Sequence, residues 1–268
     1  MSAPDGGHVD SLGTRLGLFA QAQLLEAKAH LASQGDARHK GVHEARKCMR
    51  RVRATLALGK AALGASSIRL GDEIGRLGRG LSSLRDAQAL VEVLSRLDAK
   101  EMQSPALLAQ AVKLAVENRD AFLAKALTRD ADLSARQQRL RRAADRLLKM
   151  PWQALTLDDV QRALLRSERR IKKAARRARK HPNDDEVWHQ FRRRIRRLRQ
   201  QNNVLAEIEP QLANCADACK EHAVALGESQ DDALLLARCG RRSPFPAHLR
   251  SQLRAVATRR LEQARQKL

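Results

Sequence analysis

Residues 43–53 read HEARKCMRRVR, and residues 189–199 read HQFRRRIRRLR. A shift of 146 positions lays His43 on His189, Arg46 on Arg192, Lys47 on Arg193, Arg50 on Arg196, Arg51 on Arg197 and Arg53 on Arg199, with Met49 on Ile195 and Val52 on Leu198. Chance similarity between two basic segments does not usually keep the histidine. At about 100° per residue on a helix, His43, Arg46, Lys47 and Arg50 share roughly a third of the circumference, with Arg51 and Arg53 at its edges. Ala45, Cys48, Met49, Val52 and Leu56 take the opposite side. In the second copy Phe191, Ile195 and Leu198 supply the apolar side, and His189, Arg192, Arg193 and Arg196 the basic one. Each segment therefore reads as an amphipathic helix that packs by one face and presents a cationic stripe on the other.

Working outward, apolar residues recur at 3.6-residue spacing almost throughout, and alternating β-type runs are lacking, so the expected fold is all-α. The pattern predicts helices at 10–34, 37–63, 66–82, 86–99, 105–130, 134–149, 157–180, 184–206, 210–226, 231–239 and 245–268. Breaks fall at Gly35-Asp36, Gly64, Ser104-Pro105, Met150-Pro151, His181-Pro182-Asn183, Pro210 and Ser243-Pro244-Phe245-Pro246, where turn-forming residues interrupt the periodicity. A weaker echo follows each basic segment, LSSLRDAQAL at 81–90 and LGESQDDALL at 226–235. Such self-similarity indicates an internal duplication within one domain, with repeats of about 10–150 and 151–268, related by a pseudo-twofold axis.

The chain has 268 residues, 43% of them apolar, and a formal net charge of +22. That is enough to build a core without disulfides or a structural metal. So large an excess of positive charge works against the compact state unless a polyanion relieves it. Nucleic acid, anionic lipid and polyphosphate are the three candidates. The 52 cations comprise 39 Arg and 13 Lys; the guanidinium fork can hold phosphate oxygens in pairs and stays charged. Sixteen basic and four acidic residues fall between 162 and 199, so the excess charge is local. Aromatic residues make up 2% of the chain and Tyr is absent. Base stacking is thereby disfavoured, while backbone-phosphate binding is untouched. A non-sequence-specific protein of the DNA or RNA backbone is the alternative reading.

Every Leu-rich stretch is interrupted by charge, which argues against a membrane span. The N-terminal MSAPDGGHVDSLG lacks the features of a signal peptide, and with four cysteines in helical contexts the expected compartment is the reducing cytoplasm. Cys215, Cys219 and His222 share a helical face that Cys239 could approach, yet buried thiols in a helical core explain them better than zinc, and no metal or cofactor is expected. Asp86 and Asp231 read first as caps opening short helices and otherwise as groups that orient arginines. No phosphate loop, nucleophile elbow or paired carboxylates stand out, so the chain is not expected to be an enzyme.

The pattern His43-x2-Arg46-x3-Arg50-Arg51-x-Arg53, repeated as His189-x2-Arg192-x3-Arg196-Arg197-x-Arg199 and followed by the segments ending at Asp86 and Asp231, resembles the CHAD domain, the conserved-histidine α-helical domain, over roughly 10–265. The resemblance implies two pseudo-symmetric four-helix bundles around a basic central pore or groove, binding inorganic polyphosphate and in bacteria often located at polyphosphate granules. Carried over by position, it implies His43, Arg46, Lys47, Arg50, Arg53, His189, Arg192, Arg193, Arg196 and Arg199 as the polyphosphate-binding residues. The second Asp segment departs from the pattern: Asp231 follows Ser-Gln where Asp86 follows Leu-Arg. Nothing resembles the triphosphate tunnel domain joined to some relatives, which implies the stand-alone type.

Overall fold

The computed structural model describes residues 11–102, 104–181, 184–212, 231–241 and 243–266. Among them the fold is all-helical, with no strand. The helices are α1 (Leu12–Leu31), α2 (Ala37–Leu58), α3 (Lys60–Gly80), α4 (Ser82–Ser95), α5 (Pro105–Arg129), α6 (Ser134–Leu148), α7 (Leu157–Lys180), α8 (Asp185–Ile208) and α9 (Ala247–Gln266), with a further helical run at 231–238.

Local chemistry sets the ends. Ser104 accepts a hydrogen bond from the Ala106 amide, and Pro105 fills the first helical position of α5, where its missing N–H costs nothing. Thr156 and Asp159 form a reciprocal capping box at α7. Two boundaries differ from the sequence expectation. The predicted 37–63 helix stops at Leu58, and the predicted break at Gly64 is a kink inside α3, at φ 58° and ψ −145°, a conformation that glycine adopts without strain. The predicted 86–99 helix begins at Ser82, with Leu81 at its N-cap. Asp86 therefore lies inside α4, because the buried stripe of Leu84, Ala87 and Leu90 extends the helix upstream of it. Of the predicted 210–226 helix, Pro210–Leu212 form a 3-10 turn; the remainder, with Cys215, Cys219 and His222, lies outside the described residues.

The chain divides into two compact units, each assembled from segments distant in sequence. The first comprises Met1–Lys28, Lys47–Arg76 and Gln138–Cys215; the second comprises Ala29–Arg46, Leu77–Gln137 and Ala216–Leu268. Each unit takes residues from both halves of the sequence.

In the first unit, Leu16, Ala20 and Leu24 of α1, Met49, Val52 and Leu56 of α2, Leu140 and Leu147 of α6, and Val160 and Leu164 of α7 are buried. Trp152, 3% exposed, sits against α1 and donates its indole N–H to the Leu147 carbonyl at 2.8 Å. A Cβ on Gly17 would lie 2.8 Å from the Trp152 ring, and one on Gly13 only 1.9 Å from the Trp152 carbonyl oxygen. Glycine at both places lets the helix approach Trp152, by its ring at Gly17 and by its backbone at Gly13. Helices α7 and α8 pack along each other.

In the second unit, Leu90, Val93 and Leu94 of α4, Ala111 and Ala115 of α5, Leu235, Cys239 and Phe245, and Leu249, Leu253 and Val256 of α9 form one apolar core. Arg260 bridges two acids at its border: Nε donates to Asp232 at 2.8 Å, and Nη1 donates to both carboxylate oxygens of Glu101 at 3.1 Å. Burial raises the Asp232 carboxyl above its ordinary range, against the pull of Arg260.

Candidate functional site

Helix α8 opens with Asp184, whose carboxylate accepts the Glu186 and Val187 amides at 3.0 and 3.2 Å. Phe191, Ile195 and Leu198 are buried, as their i, i+4, i+7 spacing demands. His189, Arg193, Arg194 and Arg196 are in consequence exposed, while Arg192, Arg197 and Arg199 are half-buried. On α2 the buried side is Ala45, Cys48, Met49, Val52 and Leu56. His43, Arg46, Arg50 and Arg53 are half-buried, and Lys47 is exposed. Both basic helices therefore have the amphipathic order that their spacing predicts.

Electrostatically, the first unit converges on Arg197. Burial, followed by the positive charges of Arg53, Arg194, Arg170 and Arg193, pushes its guanidinium below the ordinary value. These five arginines come from three helices: Arg53 from α2, Arg170 from α7, and Arg193, Arg194 and Arg197 from α8. Room for Arg53 comes from Gly75 of α3, where a Cβ would lie 3.3 Å from the central guanidinium carbon. Among the described residues no carboxylate forms an ion pair with Arg170, Arg193, Arg194 or Arg197. The mutual repulsion of Arg170, Arg193, Arg194 and Arg197 raises the free energy of the fold, and phosphate oxygens would lower it through charge-assisted hydrogen bonds.

The ten predicted residues divide between the units. Lys47, Arg50, Arg53, His189, Arg192, Arg193, Arg196 and Arg199 belong to the first unit; His43 and Arg46 belong to the second. Arg53 and Arg193 are among the residues whose charge acts on Arg197. Arg46 is tied into the local structure, since its Nη1 donates to the Gly78 carbonyl and, at 3.1 Å, to the Ser82 hydroxyl. A cation is favourable there, at the C-terminal end of α3, where the helix dipole is negative. Arg51 pairs with Glu207 and lies 5.0 Å from the centroid of the Phe19 ring, so its counterpart Arg197 occupies a different environment.

Arg170, Arg194 and Arg197 complete the cluster and are absent from the residues carried over by position. Their signal in the sequence was the charge run at 162–199, which does not say which arginines meet. Asp86 lies 3.7 Å from Arg85, and Asp231 pairs with Arg96 at 2.8 Å. Asp231 thus finds, 135 residues away in the chain, the arginine that its sequence neighbours do not supply.

Fold and site together define an all-helical protein that concentrates arginine from three helices. A family model described as the CHAD domain matches residues 18–240, and the chain belongs to that family. It is similar in fold to the crystal structure of the CHAD domain from the plant Ricinus communis, at 20% identity and a TM-score of 0.66, over 96% of this chain and 92% of that one. It is similarly related to PptA from Streptomyces chartreusis, at 18% identity and a TM-score of 0.66, over 94% and 96% of the two chains. No curated protein matches it. Among the described residues no helix is long and apolar enough to cross a membrane.

Proposed function

We propose that this protein binds inorganic polyphosphate, and that the arginines around Arg197 hold it. The convergence of Arg53, Arg170, Arg193, Arg194 and Arg197 is the observation that carries this reading, and the association of the CHAD family with polyphosphate binding supports it. Each phosphate neutralised releases counterions, so affinity falls steeply with salt, as for nucleic acids. On this reading the chain is a single domain of two repeats, with a basic pore or groove lined by the duplicated helices. It acts as a binding protein rather than an enzyme, in the cytoplasm at polyphosphate granules. His43 and His189 donate to phosphate oxygens once a ligand is present.

The test is a competition titration of long-chain polyphosphate against duplex DNA and single-stranded RNA at two salt concentrations, on wild type and on the variant R53Q/R193Q/R197Q. Preference for polyphosphate that drops at least tenfold in the variant supports the assignment. Equal or tighter binding of nucleic acid by the wild type refutes it.

A further inference from the structure

Helix α7 carries a cationic face that the repeated motif does not account for. Residues 166–180 contain nine basic residues and one acid, Glu168. All nine basic side chains are exposed. The stretch 146 residues earlier, 20–34, holds only Lys28 and Glu26 among Lys, Arg, Asp and Glu. The relation between 43–53 and 189–199 therefore does not extend to this charge, which is particular to α7.

Two ordinary explanations cover only the ends of the helix. At its start Arg162 is neutralised by Asp158 and Asp159; among the described residues none of the nine later cations has such a partner. At its end, cations are stabilised by the helix dipole, but that effect fades within the last turn and leaves Arg166 to Arg176 unexplained.

At about 100° per residue, the nine cations span roughly half the circumference. Arg166, Arg170 and Arg177 occupy one flank, and Arg170 is the residue that acts on Arg197. Arg169, Lys172, Arg176 and Arg179 follow each other at intervals of 3, 4 and 3 residues. They make a straight ridge about 15 Å long on the other flank. The face is thus continuous with the arginine cluster at one edge and leads away from it at the other.

Building on the polyphosphate reading, we infer that the ridge of Arg169, Lys172, Arg176 and Arg179 is a track for the part of a long polyphosphate chain that extends beyond the Arg197 cluster. A thin, flexible polyanion anchored at Arg170 and Arg197 can follow the curved surface of one helix. Once the cluster holds one part of the chain, each ridge contact is intramolecular and adds affinity without a second encounter. Ligands of two or three phosphates end before the ridge, so it confers preference for length.

The test compares R169Q/K172Q/R176Q/R179Q with wild type, using long-chain polyphosphate, triphosphate and duplex DNA at several salt concentrations. Glutamine is a good helix former and the positions are exposed, so helicity and melting temperature serve as fold controls. The expected result is an at least tenfold loss of long-chain affinity, with triphosphate affinity unchanged. The slope of log K against log salt is expected to fall by about 2 to 3. The milder R176Q/R179Q variant is expected to show about half that change in slope. Unchanged long-chain affinity overturns the inference, as does loss of triphosphate binding in a folded variant. Loss of DNA binding with long-chain affinity retained assigns the ridge to nucleic acid instead and equally overturns it. Failure of the cluster reading is separately visible: R193Q/R197Q would then bind triphosphate like wild type.

Discussion

Changing Arg197 to Met separates a ligand-binding arginine from a structural one. The side chain is half-buried, and the positive charges of four other guanidinium groups act on it. At a few tenths of a kcal/mol for each like-charge neighbour, the value for pairs on one helix face, its charge costs the ligand-free fold about 1–2 kcal/mol. An unbranched Met keeps much of the stem packing, and allowing for the contacts still lost leaves a net gain of about 1 kcal/mol. For a protein of this size that is a rise of about 2–4 °C in melting temperature. The same substitution removes charge-assisted hydrogen bonds to phosphate, worth roughly 1.5–3 kcal/mol, and so weakens polyphosphate binding tenfold or more. The assay is thermal unfolding with and without polyphosphate, in low and moderate salt. Salt should raise the melting temperature of the wild type more than that of R197M, because it screens the repulsion that the variant lacks. A ligand-free R197M that melts below wild type yet binds polyphosphate with unchanged affinity would refute the reasoning and make Arg197 a packing residue.

Gly17→Ala places a methyl 2.8 Å from the Trp152 ring; overpacking of about 1–3 kcal/mol outweighs the roughly 1 kcal/mol helix preference of Ala, and the urea midpoint should fall. Gly13→Ala should fall further, since its methyl meets the Trp152 carbonyl at 1.9 Å and backbone yields less than a side chain. Arg260→Met leaves the buried Asp232 and the half-buried Glu101 without their cation, at about 2–3 kcal/mol after allowing for partial exposure. The loss should shrink as pH falls from 7 toward 4: the folded-state pKa of Asp232 is already raised and rises further without Arg260, so protonation favours the folded variant. His39 has its pKa lowered by burial and by Arg119, against the opposing pull of Asp120 and Asp36. Its stabilising contribution is complete above pH 6.5 and declines below it, as the unfolded chain takes up the proton first. Denaturation measured between pH 7.5 and 5.5 should show this slope flattened in His39→Gln.

The all-helical fold was legible because helix formation and its apolar stripe are properties of residues three and four positions apart. The buried sides of α2 and α8 follow directly from Met49, Val52, Phe191, Ile195 and Leu198. Boundaries were less legible where a cue has two physical outcomes. Gly64 suits a break or a kink equally well, and Asp86 can cap a helix or ride inside one; the packing of Leu84 and Leu63 decides between them. The division of the chain into units that each join three distant segments left no local trace.

The repeated motif, read alone, determined that two helices carry cationic stripes, the pattern from which a polyanion was expected as ligand. Which arginines act together was decided only in three dimensions. Arg51 and Arg197 are equivalent in the repeat, yet one pairs with Glu207 and lies over Phe19, while the other is acted on by the charges of Arg53, Arg170, Arg193 and Arg194. Helical periodicity sets the face on which a charge emerges. Its neighbours on other helices, some of them more than a hundred residues away, as Arg53 is from Arg197 and Glu207 from Arg51, decide whether that charge is paired or meets more charge of its own sign.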